Sequence, residues 1–363
     1  MVRVFVDHVT KIFGDKEKKV LAVDDLTLEI PDGAFVGILG PSGCGKTTTL
    51  RIIAGLETPT KGKVYFDEED VTEWDTKKRN VAMVFQFPVL YPSITIYDNL
   101  AITLRSNKIS RPIVREEVKR VAELLGISQY LNMKPPELDI NIRQKVCLAK
   151  ALLRDPTIFI FDEPLTVVDP KVRVELRTKI KEIQLKLKKP MLYVTHDQAE
   201  VLTLAEKIAI MNEGKLLQYD TPENCYINPA NTFVGYFIGN PGMNFIECDI
   251  SSEDGKLYLI TDGGFKYDIT PLANLLEKFD PLRKVILGIR PEFVQVGVKG
   301  MKAKCTYIEP MGNITIVHLE VYDRRLRVKI PMRYNIKAGD EIWINLPMEK
   351  IRLFHYHSGK LLL

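Results

Sequence analysis

The sequence lacks the long apolar runs that would carry it across a membrane. Nowhere in its 363 residues does a stretch approach the ~18 consecutive apolar residues of a membrane-spanning helix. Arg3 and Asp7 interrupt the apolar residues at the N-terminus, so no secretory signal peptide is expected there. These absences predict a cytoplasmic protein that associates with a membrane only peripherally.

Cysteines and basic residues are both too dispersed to build a disulfide frame, a zinc site or a nucleic-acid surface. The chain has five cysteines and no CxxC pair: Cys44, Cys147, Cys225, Cys248 and Cys305. Scattered cysteines of this kind indicate reduced thiols in a cytosolic protein. The net charge of +4 is mild for this length, and no dense block of Lys and Arg appears. A nucleic-acid partner is therefore not expected.

The first ~235 residues alternate between apolar strands and amphipathic helices, as parallel α/β domains do. Fully apolar runs, typical of strands buried on both faces, occur at 34–39, 81–85, 158–161 and 191–194. Helical spacing is clearest in one set of residues: Val172, Leu176, Ile180, Ile183 and Leu187. This half of the chain is predicted to be an α/β domain with a mainly parallel sheet.

Beyond residue 235 the pattern changes to short strands separated by turns. Strand-like runs occur at 256–261, 285–289, 302–308, 315–321, 326–330, 341–346 and 351–355. They predict a separate all-β module, a small barrel, joined through a linker near 239–242. We therefore place one domain at 1–238 and a second at 239–363.

A glycine-rich turn follows the first buried strand and matches the pattern GxxxxGK followed by Ser or Thr. Glycines let backbone N–H groups approach phosphates closely, and the start of the following helix, predicted over 48–54, favours an anion. Lys46 is predicted to reach the β- and γ-phosphates of ATP, and Thr47 to offer its hydroxyl to Mg²⁺. The predicted nucleotide-binding residues of this turn are Ser42, Gly43, Cys44, Gly45, Lys46, Thr47 and Thr48.

Polar residues follow three other predicted strands of the same sheet. Asp162 and Glu163 end one strand, where two adjacent carboxylates are costly to desolvate without a cation. Asp162 is predicted to bind Mg²⁺, and Glu163 to polarise the attacking water as a general base. His196 is predicted to contact the γ-phosphate, and Gln86 to contact the water and Mg²⁺. Since ligands bind at the carboxyl edge of open α/β sheets, these side chains should converge there.

The order of these features resembles the ATP-binding subunits of ABC transporters. Segments 40–57, 195–200 and 231–239 are similar to the maltose/multiple-sugar importer ATPases. In the second half, 287–292, 309–313 and 339–340 resemble the oligonucleotide-binding-fold regulatory domain of that family. The resemblance covers nearly the whole chain. It implies an α/β P-loop NTPase domain of the ABC ATPase type, followed by an all-β OB-like regulatory domain.

The resemblance also implies a function. The chain would bind ATP and Mg²⁺, pair with a second ATPase subunit and drive a transmembrane permease from the inner face of the cell membrane, importing sugars. Importers of glycerol phosphate, polyamines and iron use similar subunits, so these solutes stay open. A soluble ABC-type regulatory ATPase without a permease also stays open. A P-loop kinase is a third class, which His196 and the position of Glu163 disfavour.

Three more roles come from the resemblance alone. Phe13 matches the aromatic residue that stacks on adenine. The segment Phe87–Asn99 matches the part that receives the coupling helix of the permease. Asp169 matches the loop that crosses the dimer interface.

One motif of the family is broken. The pattern Leu-Ser-Gly-Gly-Gln is replaced at 138–142, where Asp139, Ile140 and Asn141 stand for Ser-Gly-Gly, while Gln144 and its neighbours keep the register. In the family this motif contacts the γ-phosphate bound by the opposite subunit. Two like charges ~4 Å apart repel by about 4 kcal/mol at an effective dielectric of ~20, so Asp139 is expected to slow hydrolysis. Restoring Ser-Gly-Gly is expected to raise the rate.

Two assemblies are compatible with the broken motif. In a heterodimer, a different ATPase with an intact motif completes the phosphate loop of this chain. In a homodimer both sites carry the degenerate motif and hydrolysis is slow.

Overall fold

The computed structural model describes residues 2–14, 19–105, 109–276, 283–322, 324–332, 334 and 336–363. The chain divides into two compact units, Met1–Pro222 and Glu223–Leu363. This division falls before residue 238, where the sequence pattern places the domain boundary. Within the described ranges no helix is both long and apolar enough to cross a membrane.

The first unit is built from strands and helices in alternation, as predicted. Its described strands are β1 (Val4–Phe13), β2 (Val20–Ile30), β3 (Phe35–Leu39), β4 (Lys61–Phe66), β5 (Glu69–Asp70), β6 (Val81–Val84), β7 (Ile158–Asp162), β8 (Met191–Val194), β9 (Lys207–Asn212) and β10 (Lys215–Asp220). Its described helices are α1 (Lys46–Ala54), α2 (Thr76–Arg79), α3 (Ile96–Arg105), α4 (Arg111–Leu124), α5 (Ile140–Leu152), α6 (Pro170–Leu187) and α7 (Gln198–Leu204).

These strands form two sheets. An antiparallel sheet has the order β2–β1–β4–β5, and the larger sheet has the order β10–β9–β3–β8–β7–β6. Neighbours from β9 to β6 run parallel. The strands β3 and β8 are buried along their whole length, because helices and the second sheet leave neither face to water.

The predicted elements of this unit are found with small shifts. The run predicted as a strand to residue 85 ends at Val84, and the helix predicted from residue 48 begins at Lys46. On α6, Leu176 and Ile180 are buried as expected, but Leu187 is 43 % exposed. It is the last residue of the helix, beyond the buried stripe.

Arg79 fixes the far end of α1, the helix that follows the phosphate loop. Its buried guanidinium donates to the carbonyl oxygens of Ile52 (2.7 Å), Ile53 (2.9 Å), Trp74 and Thr72. The last carbonyls of a helix lack intrahelical partners, so a cation there is favourable. Burial nevertheless lowers the pKa of Arg79 to about 10.

The second unit is mostly antiparallel sheet. Its described strands are β11 (Asn244–Glu253), β12 (Lys256–Ile260), β13 (Lys266–Asp268), β14 (Lys284–Ile289), β15 (Gln295–Met311), β16 (Ile314–Val321), β17 (Arg324–Pro331), β18 (Glu341–Asn345) and β19 (Ile351–His355). The described helices are α8 (Pro222–Ile227), α9 (Thr232–Phe237) and α10 (Ala273–Leu276). The sequence pattern located seven of these strands and missed β11 and β13.

Two sheets, in the orders β13–β12–β11–β14–β19 and β17–β16–β15–β18, share one apolar core. Beside it, the guanidinium of Arg290 is 1 % exposed and donates to the carbonyl oxygens of Tyr226, Gly235 and Ile238. These hydrogen bonds hold the backbone firmly, because losing any one of them leaves a buried polar group unpaired.

Candidate functional site

The carboxyl ends of β3, β8, β7 and β6 meet at one edge of the parallel sheet. Ile38 on β3 is level with Val194 on β8, which is level with Asp162 on β7. Val84 on β6 is level with Phe161 on β7. The register therefore brings the residues that follow each of these strands to a common edge, where open α/β sheets bind ligands.

The glycine-rich loop between β3 and α1 wraps tightly against its surroundings. Gly45 precedes α1 with a φ of +103°, a left-handed conformation that favours glycine. A Cβ atom on Gly45 would lie 2.3 Å from the carbonyl oxygen of Ala22, and one on Gly40 would lie 2.3 Å from another backbone oxygen. Ser42 and Gly43 are exposed at the open side of the loop. The loop thus forms a cradle whose backbone faces outward.

Lys46 lies inside this loop and is only 5 % exposed. Its Nζ donates to the carbonyl oxygens of Gly40 (2.9 Å) and Pro41 (2.8 Å). A phosphate oxygen would offer the ammonium a charged acceptor, which bonds more strongly than a neutral carbonyl. Burial raises the pKa of the Cys44 thiol, so Cys44 offers a ligand only its backbone.

Thr47 and Asp162 bring a hydroxyl and a carboxylate together between α1 and β7. Thr47 Oγ1 donates to Asp162 Oδ1 at 3.4 Å, and Thr48 lies half-buried beside Thr47. Burial raises the pKa of Asp162, and the charge of Glu163 raises it further, against opposition from Arg51. A carboxylate disfavoured as an anion gains most from a cation, and oxygen ligands suit Mg²⁺. These residues fit a magnesium ion.

Glu163 is held in a strained backbone conformation beside His196. Its φ is +47°, which is uncommon for a residue other than glycine, and its N–H donates to the carbonyl oxygen of Val194 (2.8 Å). Glu163 Oε2 lies 3.1 Å from His196 Nδ1 and accepts a hydrogen bond from Thr166 Oγ1 (3.3 Å). Strain of this kind persists where the surroundings fix the residue, as they do at functional sites. The structure thus joins the two predicted residues directly.

Phe13 lies at the end of β1 and is 38 % exposed. It pairs with Val20 on β2, and Ala22 on the same strand packs against Gly45 of the phosphate loop. The ammonium of Lys11 lies 4.8 Å from the centre of the Phe13 ring. The ring is therefore accessible on the strand pair that borders the loop.

Gln86 is half-buried, two residues past the end of β6, which sets it at the same sheet edge as Glu163. Gln144, which is fully buried on α5, fixes both segments. Its Nε2 donates to the carbonyl oxygens of Phe85 (3.1 Å) and Pro164 (2.7 Å), the neighbours of Gln86 and Glu163. One amide therefore sets the spacing between two predicted site residues.

Sequence reasoning used Gln144 only to fix the register and missed this role. A signal was present, because Gln144, Leu148 and Ala151 form the buried stripe of α5. A polar residue in an apolar helical stripe has to find hydrogen bonds inside the protein.

The broken motif begins α5 and makes contacts of its own. Asp139 Oδ1 accepts the N–H of Ile142 at 2.9 Å and so caps the helix. Asn141 exchanges two hydrogen bonds with Asp169, which sequence reasoning also missed. Asp139 and Asn141 therefore have structural roles within this subunit.

Three parts of the chain match known families. The ABC transporter family matches residues 23–166, the MalK OB fold domain matches 239–294, and the TOBE domain matches 287–354. A trehalose/maltose import ATP-binding protein of Thermococcus litoralis is 41 % identical, over 99 % of this chain and 99 % of its own length. The chain belongs to the ABC transporter family of ATP-binding proteins.

Other ABC transporter proteins match along nearly their whole length. An oligosaccharides import ATP-binding protein of Bacillus subtilis is 38 % identical, over 98 % of both chains. An sn-glycerol-3-phosphate import ATP-binding protein of Escherichia coli is 35 % identical, over 97 % of both chains. The ABC transporter resemblance noted from the sequence motifs is thereby confirmed.

A solved ABC structure supports the same assignment. It is a dimeric ATP-binding cassette in a post-hydrolysis state with ADP and Pi, 28 % identical, with a TM-score of 0.56. The match covers 60 % of this chain and 98 % of that one. The predicted fold class, an ABC ATPase domain followed by an OB-like regulatory domain, is confirmed. As an ABC ATPase, the chain binds and hydrolyses ATP with Mg²⁺.

Proposed function

We propose that this ABC transporter chain is the ATPase subunit of an importer whose solute is a sugar. Relatives named for the import of trehalose/maltose, oligosaccharides and xylose/arabinose are 41 %, 38 % and 35 % identical over nearly the whole chain. The observation that carries the ATPase role is the strand register, which gathers the phosphate loop, Asp162, Glu163 and His196 at one sheet edge.

The roles of the site residues follow from their placement. Lys46 contacts the β- and γ-phosphates, the backbone of 42–48 cradles them, and Phe13 stacks on the adenine. Thr47 and Asp162, with Gln86, are the residues that would hold Mg²⁺. The metal ion supplies positive charge against the phosphates during phosphoryl transfer.

We assign the activation of the attacking water to Glu163, with His196 as its partner. Glu163 accepts a proton from the attacking water as a general base. The His196 ring contacts Glu163 through Nδ1 and the γ-phosphate through Nε2. Their 3.1 Å contact fixes the carboxylate and the ring relative to each other. Catalysis rests mainly on such positioning and on electrostatic stabilisation.

The assembly is proposed from the same relatives. Two ATPase subunits pair, as in the dimeric cassette, with the loop around Asp169 at their interface. They dock on transmembrane permease subunits at the inner face of the cell membrane. We also propose that 1–238 forms the ATPase domain and 239–363 the regulatory domain, since the OB-fold match begins at residue 239.

The permease is proposed to dock on the segment Phe87–Asn99. Phe87, Val89 and Tyr91 expose 62 %, 62 % and 52 % of their surface, which is unusual for apolar and aromatic residues so close together. A cleft of about 700 Å³ is lined in part by Val89 and Tyr91. The fully buried Asn99 binds the N–H and the carbonyl of Tyr91 and so holds the segment rigid. A rigid surface loses little entropy when a partner binds.

Replacing Lys46 by alanine tests the ATPase role. We expect Lys46→Ala to weaken ATP binding by roughly tenfold or more, because a charge-assisted hydrogen bond contributes about 1.5–3 kcal/mol. Equilibrium titration with fluorescent ATP measures affinity, and phosphate release measures turnover. Lys61→Ala, an exposed lysine on β4, is the matched control. Unchanged affinity and turnover in Lys46→Ala would rule out the proposed site.

A further inference from the structure

A pair of hydrogen bonds joins the start of α5 to the end of the loop that follows Glu163. Asn141 Nδ2 donates to Asp169 Oδ2 at 2.7 Å, and the Asp169 N–H donates to Asn141 Oδ1 at 3.0 Å. Both polar ends of the amide are therefore used on one residue. A glycine at position 141, as in the family pattern, would provide neither bond.

The helix α5 holds the loop 163–169 at both ends. Gln144 donates to the carbonyl oxygen of Pro164 at 2.7 Å, next to Glu163. Asn141 lies three positions before Gln144, so the two side chains share one face of the helix. Between them, the two amides fix the beginning and the end of the loop relative to α5.

Asp169 is diverted from its usual local role by this contact. It stands at the position before α6 where an aspartate normally caps the helix, yet it makes no side-chain cap hydrogen bond there. Its carboxylate is bonded to Asn141 instead. The contact with Asn141 therefore replaces a favourable helix-capping hydrogen bond. This indicates that the contact helps to hold the loop in place.

Hydrogen bonds inside the loop 163–169 connect its restrained end to Glu163. Thr166 Oγ1 donates to Glu163 Oε2 at 3.3 Å, and Arg173 donates to the carbonyl oxygens of Thr166 (3.4 Å) and Val168 (3.2 Å). Residues 166–169 are thus held from both the α5 and the α6 side. The placement of residues 166–169 therefore sets the position of Thr166, one of the two side chains bonded to the Glu163 carboxylate.

We propose that Asn141 is a positioning residue that fixes the loop 163–169, and through it Glu163, within the same subunit. Its replacement of a motif glycine then adds a contact in cis as well as removing a phosphate contact in trans. The inference rests on the proposed role of Glu163 as general base. Asn141 thereby links the start of α5, which faces the partner's nucleotide, to the carboxylate of Glu163 in this chain.

Hydrogen exchange on the nucleotide-free full-length chain tests the contact itself. In Asn141→Ala we expect amides of peptides covering 163–169 to exchange roughly tenfold faster, because the Asp169 N–H loses its acceptor. Alanine avoids the backbone freedom that glycine would add to the helix. Asn345→Ala, which removes an exposed amide bonded to Gln295, is the matched control and should leave these peptides unchanged.

Swapping the amide at position 141 with the carboxylate at position 169 tests whether these two side chains are paired. Asn141→Asp alone sets two carboxylates against each other and should open the loop as Asn141→Ala does. The double variant Asn141→Asp with Asp169→Asn restores both bonds, because the new carboxylate accepts from the side-chain amide and the backbone N–H of residue 169. Its exchange should return to the wild-type rate, whereas a general folding defect would not be reversed.

Steady-state kinetics test the consequence for the reaction. In Asn141→Ala we expect kcat to fall roughly tenfold while the KM for ATP stays within about twofold, because the nucleotide contacts are untouched. The exchanged double variant carries a carboxylate in the motif that faces the partner's γ-phosphate, so its recovery is measured by hydrogen exchange and not by kcat. Unfolding midpoints close to that of the wild type exclude a folding defect as the cause.

Three results would overturn the proposal: unchanged exchange in Asn141→Ala, no recovery in the exchanged variant, or a faster-exchanging loop with unchanged kcat. The exchange measurement requires neither nucleotide nor partner subunit. It therefore decides the contact even if the Lys46→Ala test removes the proposed function, and the two failures remain distinguishable.

Discussion

Asp162 and Glu163 are adjacent in sequence but meet different surroundings. The carboxylate of Asp162 faces Thr47 in a half-buried position, where burial raises its pKa. Glu163 turns toward His196 and Thr166 because its backbone leaves the strand in a left-handed conformation. The strained residue directs the two carboxylates apart, so that Asp162 faces Thr47 and Glu163 faces His196.

Replacing Asp162 by asparagine should stabilise the nucleotide-free protein at neutral pH, because it removes an anion that burial and Glu163 both disfavour. We expect the unfolding midpoint to rise by roughly 2 °C. The variant should also lose the additional stabilisation that Mg²⁺ and ATP give the wild type. Thermal unfolding with and without Mg²⁺-ATP measures both effects. Asp268→Asn, where hydrogen bonds from Thr270 lower the pKa, should change stability in the opposite direction.

The gain in Asp162→Asn should depend on pH. The pKa of Asp162 in the folded protein lies above its ordinary value of 3.8, so between the two values the folded state holds more protons. The contribution of Asp162 to the free energy of unfolding therefore falls as the pH rises from 3.8 to the pKa of the folded state. The advantage of the variant should be full near pH 7 and shrink toward about pH 4. An advantage that stays constant over this range would contradict the assignment.

At the scale of elements, α1 and α5 begin at the phosphate loop and at the degenerate motif. The first carries the phosphate loop and is held at its far end by Arg79. The second carries the degenerate motif, in which Asp139 caps the helix while Asn141 reaches Asp169. The three substitutions in this motif are therefore not equivalent.

Restoring part of the motif should raise the ATPase rate. In Asp139→Ser with Ile140→Gly we expect an increase of about tenfold, equivalent to about 1.4 kcal/mol, because serine can still cap α5 and removes a carboxylate facing the γ-phosphate. Adding Asn141→Gly should lower that gain, since the contact with Asp169 is lost. Phosphate release at saturating Mg²⁺-ATP compares the two variants. Equal rates for the wild type and the first variant would show that Asp139 and Ile140 do not limit hydrolysis.

At the scale of the whole molecule, the proposed function requires an exposed surface through which ATP binding does work on a permease. Val89 and Tyr91 project from a segment that Asn99 holds rigid, at the rim of a cleft between α3, α5 and β6. Exposed apolar side chains on a fixed backbone are typical of a docking surface. The segment proposed for docking follows Gln86, which itself follows the end of β6 at the edge where the nucleotide site is proposed.

Val89→Asp should uncouple transport from ATP binding. We expect solute uptake to fall to about a tenth or less, because a buried interface residue can contribute 2 kcal/mol or more and a carboxylate there would be desolvated. ATPase activity of the isolated chain should stay unchanged. Uptake of labelled trehalose and maltose in cells depleted of the native chain measures transport. Val174→Asp, similarly exposed on α6, is the control and should support normal uptake.

The placement of the candidate site residues at one sheet edge was predictable from local patterns, because these residues lie at strand ends. Asp162, Glu163, His196 and Gln86 follow apolar runs that could only be buried strands, and parallel strands present their carboxyl ends at one edge. The strand β11 was missed, because its place between β12 and β14 depends on which strands pair with it. The burial of Gln144 was also missed, although the helical spacing of Gln144, Leu148 and Ala151 signals it. Which carbonyl groups Gln144 bonds depends on the fold and not on that spacing.

The sequence by itself determined the phosphate loop, the acidic strand end and the order of the parallel elements, because glycine placement, strand burial and helix starts are local properties. Only the tertiary structure decided that Gln144 spaces two site segments and that Asn141 pairs with Asp169. Those contacts join residues 20 or more positions apart. Hydrogen bonds at that separation exist only once α5 has packed beside β7, so they follow from the fold and not from the local chain.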